Sequence, residues 1–294
     1  MLKILFISHG DHIDYMPDTL LHGLYNTEGI ELTHSAESPY MYKENHIHKA
    51  SRRIHGFAFT LYGLLPEYKN DNCSISEKIK DRYFDYIIYG SIYRCKDYMD
   101  LVLEHYPKNR ICFVNGEDMY RDTDDGRRDD ILYFKREITY NREITSKFLP
   151  ISFSIPEEKI IKDVSTITKV RRNAIVQPCY NRKYIYREEA DYYKDYQDSY
   201  FGTTRKKLGW DCLRHYEILA NYCVPYFRHI EGCPEHTLTH LPKSMLFDIM
   251  LTYERNLPID EGVYKDWVNY LFQHTKDHLT TVKMVKYLLE KLCQ

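Results

Sequence analysis

The chain has 294 residues, of which 43% are hydrophobic and 29% charged, and its formal net charge is -2. This length exceeds the size at which one hydrophobic core usually stops growing, so we expect two domains or one large α/β domain. The composition excludes a wholly disordered chain, and the near-neutral charge argues against a protein dedicated to binding nucleic acid.

The cysteines and the apolar runs bear on the cellular compartment. The eight cysteines form no C-x-x-C pair, and several lie in apolar runs, which is typical of buried, reduced thiols. The apolar N-terminal run turns polar within about ten residues, which is too short for a signal peptide. No stretch approaches the roughly 20 apolar residues of a membrane span. We therefore expect a cytoplasmic protein with no membrane span.

The first half of the chain alternates strands and helices. Residues 3–7 (KILFI) predict a buried strand, and a helix with Pro17 in its first turn follows. Further strands are predicted at residues 30–32, 83–89 and 110–114, with a helix between the last two. Strands and helices in this order predict a parallel sheet with right-handed crossovers.

The pattern changes at residues 148–172, where two prolines and a charge-rich stretch predict the connection between two domains. A second alternating series follows, with strands predicted at 173–179, 199–203 and 224–230, a helix at 212–222, and further helices at 241–254, 263–274 and 279–292. We therefore expect an N-terminal domain of residues 1–165 and a C-terminal domain of residues 166–294. The last helix is suited to pack back on the N-terminal domain.

The most informative block is residues 199–227, which read SYFGTTRKKLGWDCLRHYEILANYCVPYF. The pattern predicts a strand, a basic loop that contains glycine, a helix and a second strand. The loop would place Thr204, Arg205 and Lys206 beside the N-terminus of the helix. Backbone N–H groups at a helix N-terminus, together with cationic side chains, form a site for a diphosphate.

Two residues of the predicted helix extend this site. Arg214 and Glu217 are three residues apart and therefore share a face. A carboxylate in that position can accept hydrogen bonds from both hydroxyls of a ribose. Such a pair is also common as a solvated ion pair, but the flanking basic loop and the following C-V-P-Y-F strand favour a ligand site.

The helix pattern R-x-x-E-x-L-A and the strand pattern C-x-P-x-x resemble the donor-binding half of GT-B fold glycosyltransferases, in particular the exostosin-like and CgeB-like groups. The resemblance covers about residues 175–245. It implies two Rossmann-like domains that face each other across a cleft, with Glu217 on the nucleotide ribose and Arg214 on the diphosphate. It also implies metal independence. The family usually has glycine where this chain has Tyr222, and Asn221 can adopt the left-handed cap conformation instead.

Two loops of the N-terminal half are further candidates, because loops at the carboxyl ends of parallel strands face the functional crevice. Gly10 permits close approach of a sugar or phosphate, and Asp11 or His12 is a candidate general base toward the acceptor hydroxyl. A polar turn explains these three residues equally well. Glu117 and Asp118 are reserve candidates for the base or for acceptor contact, and capping of a helix is the alternative.

Two charged segments are more ambiguous. Arg182 follows the predicted strand 173–179 and is placed to touch the diphosphate, with plain surface charge as the alternative. Asp122 and Asp124 form a D-x-D pattern of the kind that binds Mn²⁺ or Mg²⁺ in GT-A fold glycosyltransferases. Because the pattern lies in the charged run DTDDGRRDD, an exposed turn is the preferred interpretation, and no metal site is assigned.

Together these features predict a glycosyltransferase that moves a sugar from a nucleotide-diphosphate sugar to a hydroxyl of a glycan or another acceptor. No metal and no cofactor is expected, since the nucleotide sugar is a co-substrate. One alternative is a metal-dependent GT-A enzyme that uses Asp122 and Asp124. Another is a non-catalytic module that binds nucleotide sugars or glycans.

Overall fold

The computed structural model describes residues 1–10, 13–36, 38–43, 59–66, 74–118, 126–178, 185–256 and 258–294. Within these ranges the chain forms two parallel sheets, one of six strands and one of three. The predicted α/β class with parallel sheets is therefore confirmed.

The larger sheet occupies the first half of the chain. Its strands are β1 (Leu2–Ile7), β2 (Ile30–His34), β3 (Tyr86–Tyr89), β4 (Ile111–Asn115), β5 (Leu132–Lys135) and β6 (Phe148–Pro150). Their order is β2-β1-β3-β4-β5-β6, and every neighbouring pair is parallel. In a doubly wound sheet of this order, successive strands are added on one side of β1 and then on the other, so the switch point lies between β1 and β3. Ligands bind such sheets outside the carboxyl ends of the strands at that point.

The α-helices among the described residues of this half are α1 (Tyr15–Tyr25), α2 (Ile75–Lys80) and α3 (Met99–His105). Alternate residues of β1 point to opposite faces of the sheet. Ile4 and Phe6 belong to one buried cluster, while Leu5 and Ile7 belong to another. Both faces of the sheet are thus covered, which explains why β1 reads as a continuous apolar run.

The smaller sheet has the order β7-β8-β9, with β7 (Arg171–Asn173), β8 (Ser199–Arg205) and β9 (Val224–Arg228) all parallel. Two helices connect its strands, α4 (Glu189–Gln197) and α5 (Leu213–Ala220). Residues 206–212 link β8 to α5 and are called the β8–α5 loop below.

Three helices complete the chain: α6 (Lys243–Glu254), α7 (Glu261–His278) and α8 (Thr281–Leu292). The last of them packs on the first helix of the chain. The His22 ring nitrogen Nδ1 lies 2.8 Å from Oγ1 of Thr281, and a Cβ on Gly23 would lie 2.3 Å from the Thr281 carbonyl oxygen. The Tyr287 hydroxyl donates to the carbonyl of Pro150 at the end of β6.

One buried apolar cluster joins the two sheets. It includes Phe134 of β5, Phe201 of β8, Phe227 of β9 and Leu288 of α8. The two halves of the chain therefore share a hydrophobic core. Among the described residues, no helix is long and apolar enough to cross a membrane.

Several elements differ from the sequence prediction, and the differences at β5, β6 and β7 are the largest. The predicted connection between the domains, residues 148–172, begins with strand β6. Strand β5 was not predicted. Strands of three or four residues between charged segments are too short to show a hydrophobic periodicity. The strand predicted at 173–179 is wrong for residues 174–178, which follow the end of β7 at Asn173. The Asp195 carboxylate accepts hydrogen bonds from the backbone N–H groups of Ile175 and Val176, which therefore do not join a strand ladder.

Candidate functional site

The predicted basic loop is shorter in the structure than in the sequence analysis. Thr204 and Arg205 lie in β8, so only Lys206 of the three candidates belongs to the β8–α5 loop. Thr204 is buried, and its hydroxyl lies 2.9 Å from Nδ1 of His215 on α5. Arg205 donates to the carbonyl of Pro178, and the Lys206 ammonium lies 5.4 Å from the centre of a ring of Trp210. Thr204 thus ties the strand to the helix, while both cations lie at the carboxyl end of β8.

Arg214 and Glu217 both lie on α5 and are each only 9% exposed. This burial excludes the interpretation of the two residues as a solvated ion pair. Arg214 donates from Nη1 to the Tyr196 hydroxyl at 3.2 Å. Within the described part of the chain its guanidinium has no carboxylate partner, and its buried Nε has no hydrogen-bond acceptor. A buried positive charge therefore has no carboxylate within ion-pair distance among the described residues, although the Glu217 charge on the same helix acts on it from farther away.

The Glu217 carboxylate accepts two hydroxyl hydrogen bonds. Thr60 donates to Oε1 and Tyr192 donates to Oε2, each at 2.5 Å. Burial, followed by the nearby Glu217 charge, raises the pKa of Tyr192 well above its ordinary value, so that its hydroxyl keeps its proton. The Thr60 hydroxyl also lies 2.8 Å from that of Tyr193. The carboxylate thus has the hydrogen-bonding pattern that two vicinal hydroxyls of a sugar would supply.

The end of α5 has the backbone conformation that favours glycine. Tyr222 has a φ of 52°, in the left-handed region. Asn221, which the sequence analysis offered as the left-handed residue, has a φ of -100°, so that expectation is wrong. The Asn221 side chain instead donates to the carbonyl of Glu217 at 2.9 Å. Tyr222 stands where GT-B glycosyltransferases usually have glycine, and its backbone has the left-handed conformation that glycine adopts most easily.

A polar cluster lies at the carboxyl ends of β1, β3 and β4, where the strand order reverses. The Asp14 carboxylate caps α1 through Met16 N–H. Its Oδ2 lies 3.1 Å from Nε2 of His9, 3.3 Å from Oγ of Ser91 and 3.6 Å from Nε of Arg94. Burial acts to raise the pKa of Asp14, but the hydrogen bond from His9 and the charge of Arg94 outweigh it and lower the pKa.

The same cluster contains one of the predicted acceptor-side residues. Arg94 forms a two-point ion pair with Glu117, with an Nη2–Oε2 distance of 3.1 Å. Gly10 lies three residues after the end of β1 and directly follows His9 of this cluster. Sequence reasoning selected Gly10 and Glu117 but missed Asp14, Ser91 and Arg94. The sequence could have indicated these residues, because each lies in the loop that follows a predicted strand of the sheet.

Asp118, the other acceptor-side candidate, pairs with Arg136 after β5. Its neighbour Glu137 is fully buried, and burial raises its pKa to about 7 despite the adjacent Arg136 charge. A Cβ on Gly209 would lie 2.5 Å from Oε1 of Glu137 and 2.7 Å from Oδ1 of Asp118. The β8–α5 loop therefore contacts the carboxyl ends of β4 and β5. Sequence reasoning missed Arg136 and Glu137 because it did not find β5.

Several predicted residues lie outside the described residues. They are the candidate bases Asp11 and His12, the cation Arg182, and the D-x-D residues Asp122 and Asp124. In the part of the chain that the structure describes, no three side chains of His, Cys, Asp or Glu are grouped so that they could hold a metal ion. The described cysteines are free thiols.

Comparison with known proteins adds no family assignment. No protein-family model matches the chain, and the search of curated proteins finds no match. The residues of the two sheets are therefore the basis on which a function is argued.

Proposed function

We propose that the protein is a glycosyltransferase of the GT-B type, which moves a sugar from a nucleotide-diphosphate sugar to an acceptor hydroxyl without a metal ion. The observation that carries the proposal is the buried guanidinium of Arg214, which has no ion-pair partner among the described residues and whose Nε has no hydrogen-bond acceptor. An isolated buried charge is costly to a fold unless a partner compensates it. An anionic ligand would supply that partner, and a diphosphate matches the donor geometry of arginine.

The surroundings of Arg214 suit a diphosphate. Arg214 is the second residue of α5, and the N-terminus of a helix favours anions through its free N–H groups and its dipole. Arg205 and Lys206 add two positive charges at the end of the preceding strand. When the sugar leaves, negative charge grows on the diphosphate, and fixed positive charges stabilise that transition state.

Glu217 is the proposed ribose contact. In the free protein its two oxygens accept from the hydroxyls of Thr60 and Tyr192. In the proposed complex the two ribose hydroxyls replace these donors, and the Thr60 and Tyr192 hydroxyls keep the neighbouring hydroxyls of Tyr193 and Tyr196 as partners, at 2.8 and 3.1 Å. The left-handed backbone at Tyr222 supports the family resemblance from which this role comes.

In this proposal residues 166–294 bind the donor and residues 1–165 bind the acceptor, across a cleft between the two sheets. The polar cluster at the ends of β1, β3 and β4 would face the acceptor, with Gly10, Glu117 and Asp118 beside it. Asp11 and His12 remain the candidate bases, and Arg182 a further diphosphate contact. The free thiols support a reducing compartment, the cytoplasm.

A thermal-shift panel in EDTA tests the donor site. The ligands are UDP-, GDP- and ADP-sugars, with a CMP-sugar as the control because it carries a single phosphate. A ligand at a hundred times its dissociation constant stabilises the fold by about 2.7 kcal/mol. We expect one nucleotide-diphosphate class to raise the melting temperature of the wild type, and the CMP-sugar to have no effect.

Two variants make this test specific. Arg214→Met should abolish the shift without lowering the melting temperature of the free protein, because it replaces a buried charge that has no ion-pair partner among the described residues with an apolar side chain of similar length. Arg228→Met, at an exposed arginine of β9, should keep the shift. A shift that persists in Arg214→Met, or that appears only when Mn²⁺ replaces EDTA, would contradict the proposed site.

A further inference from the structure

The residue that precedes α5 by two positions is held by the other half of the chain. Arg136 Nη1 donates to the Asp211 carbonyl oxygen at 2.6 Å. The Asp211 N–H donates to Oε1 of Glu137 at 2.9 Å. Two consecutive residues at the end of β5 thus take both backbone hydrogen-bonding groups of Asp211.

The Asp211 side chain completes the connection. Its Oδ2 accepts from the backbone N–H of Phe153, at 2.7 Å, and its Oδ1 accepts from the Tyr216 hydroxyl of α5, at 3.0 Å. The Arg136 guanidinium lies 4.5 Å from the centre of the Phe153 ring. Asp211, Arg136 and Glu137 are all at least 98% buried, so water does not compete for these bonds.

We propose that Arg136 and Glu137 are positioning residues for Arg214. By fixing Asp211 on the carboxyl end of β5, they set where the first turn of α5 lies and thus where the Arg214 guanidinium is presented. The inference rests on the proposed function, because it assigns the anion site on α5 as the feature that is positioned.

The bonds to Asp211 add to the contact between Thr204 and His215 in fixing the first turn of α5, which has no side-chain cap. Cys212, the residue that precedes α5, makes no side-chain cap hydrogen bond to the helix. The β8–α5 loop also needs Gly209, because a side chain there would collide with Glu137 and Asp118. A displacement of about 1 Å in a residue that orients a substrate can cost a hundredfold in rate. The bonds to Asp211 prevent such a displacement.

The test measures pyrophosphate binding by calorimetry and amide hydrogen exchange across residues 206–216. Glu137→Ala removes the acceptor of the Asp211 N–H. We expect at least tenfold weaker pyrophosphate binding and at least tenfold faster exchange in this segment, with unchanged exchange in α8. Glu137→Gln keeps an acceptor oxygen and should restore affinity and exchange to within about threefold of the wild type, a rescue that does not follow from general destabilisation. Glu143→Ala, at an exposed glutamate, is the matched control.

The outcomes separate this inference from the proposed function. Wild-type exchange or wild-type affinity in Glu137→Ala would overturn the positioning role. Equal loss in Glu137→Ala and Glu137→Gln would also overturn it, because the acceptor oxygen would then not be what matters. If the wild type binds no pyrophosphate, the anion site and its positioning both fail, while the exchange data still decide whether Glu137 holds Asp211.

Discussion

At the scale of single residues, Arg214 and Glu217 show what spacing can predict. Their separation of three along the chain places them on one face of a helix, and the structure has them on α5 as expected. Spacing alone could not reveal their partners, because Tyr196 and Tyr192 come from α4, and Thr60 lies more than 150 residues away.

The buried hydrogen bonds of Glu217 give a stability prediction. Glu217→Ala removes the two buried hydrogen bonds that Thr60 and Tyr192 donate to a carboxylate, and a hydrogen bond to a charged group contributes about 1.5–3 kcal/mol. We expect the free energy of unfolding to fall by about 2 kcal/mol or more, measured by urea denaturation. Glu254→Ala is the control, because Glu254 accepts from the Tyr226 hydroxyl at the surface and should cost no more than about 0.5 kcal/mol. Equal losses in the two variants would refute the structural role of the Glu217 carboxylate.

At the scale of elements, strands and helices with strong periodicity were predictable and short ones were not. The buried strand β1 was predicted from its apolar run, and α8 was predicted as a helix at residues 279–292. β5 and β6 were missed, and with them Arg136 and Glu137. The contact between α1 and α8 depends on Gly23. The sequence does not indicate that this glycine lies against another helix.

The contact at Gly23 gives a second stability prediction. Gly23→Ala adds a methyl group that would lie 2.3 Å from a backbone oxygen of Thr281, so α1 and α8 must separate. We expect a loss of about 1–3 kcal/mol in the free energy of unfolding, although alanine is the better helix former. Gly262→Ala in α7 has only the Asp260 side chain nearby and should be neutral or stabilising by up to about 1 kcal/mol. A stabilised Gly23→Ala variant would show that the two helices do not pack this closely.

At the scale of the whole molecule, the alternation of strands and helices predicted the α/β class and the parallel sheets. It could not predict that the two sheets share one buried cluster, because that depends on side chains far apart in the chain. It also could not predict the hydrogen bonds between the end of β5 and Asp211. The proposed donor and acceptor roles depend on these contacts between residues that are distant in the chain.

The central claim is that the molecule transfers a sugar from a nucleotide-diphosphate donor without a metal ion. Slow donor hydrolysis, in which water replaces the acceptor, tests it before the acceptor is known. The measurement is release of nucleoside diphosphate from each donor in EDTA, by wild type, Arg214→Met and Arg228→Met. The account predicts release from one donor class by wild type and Arg228→Met, and none by Arg214→Met. A donor that binds at the Arg214 site but is never turned over, even with candidate acceptors present, would contradict transfer and indicate a binding module.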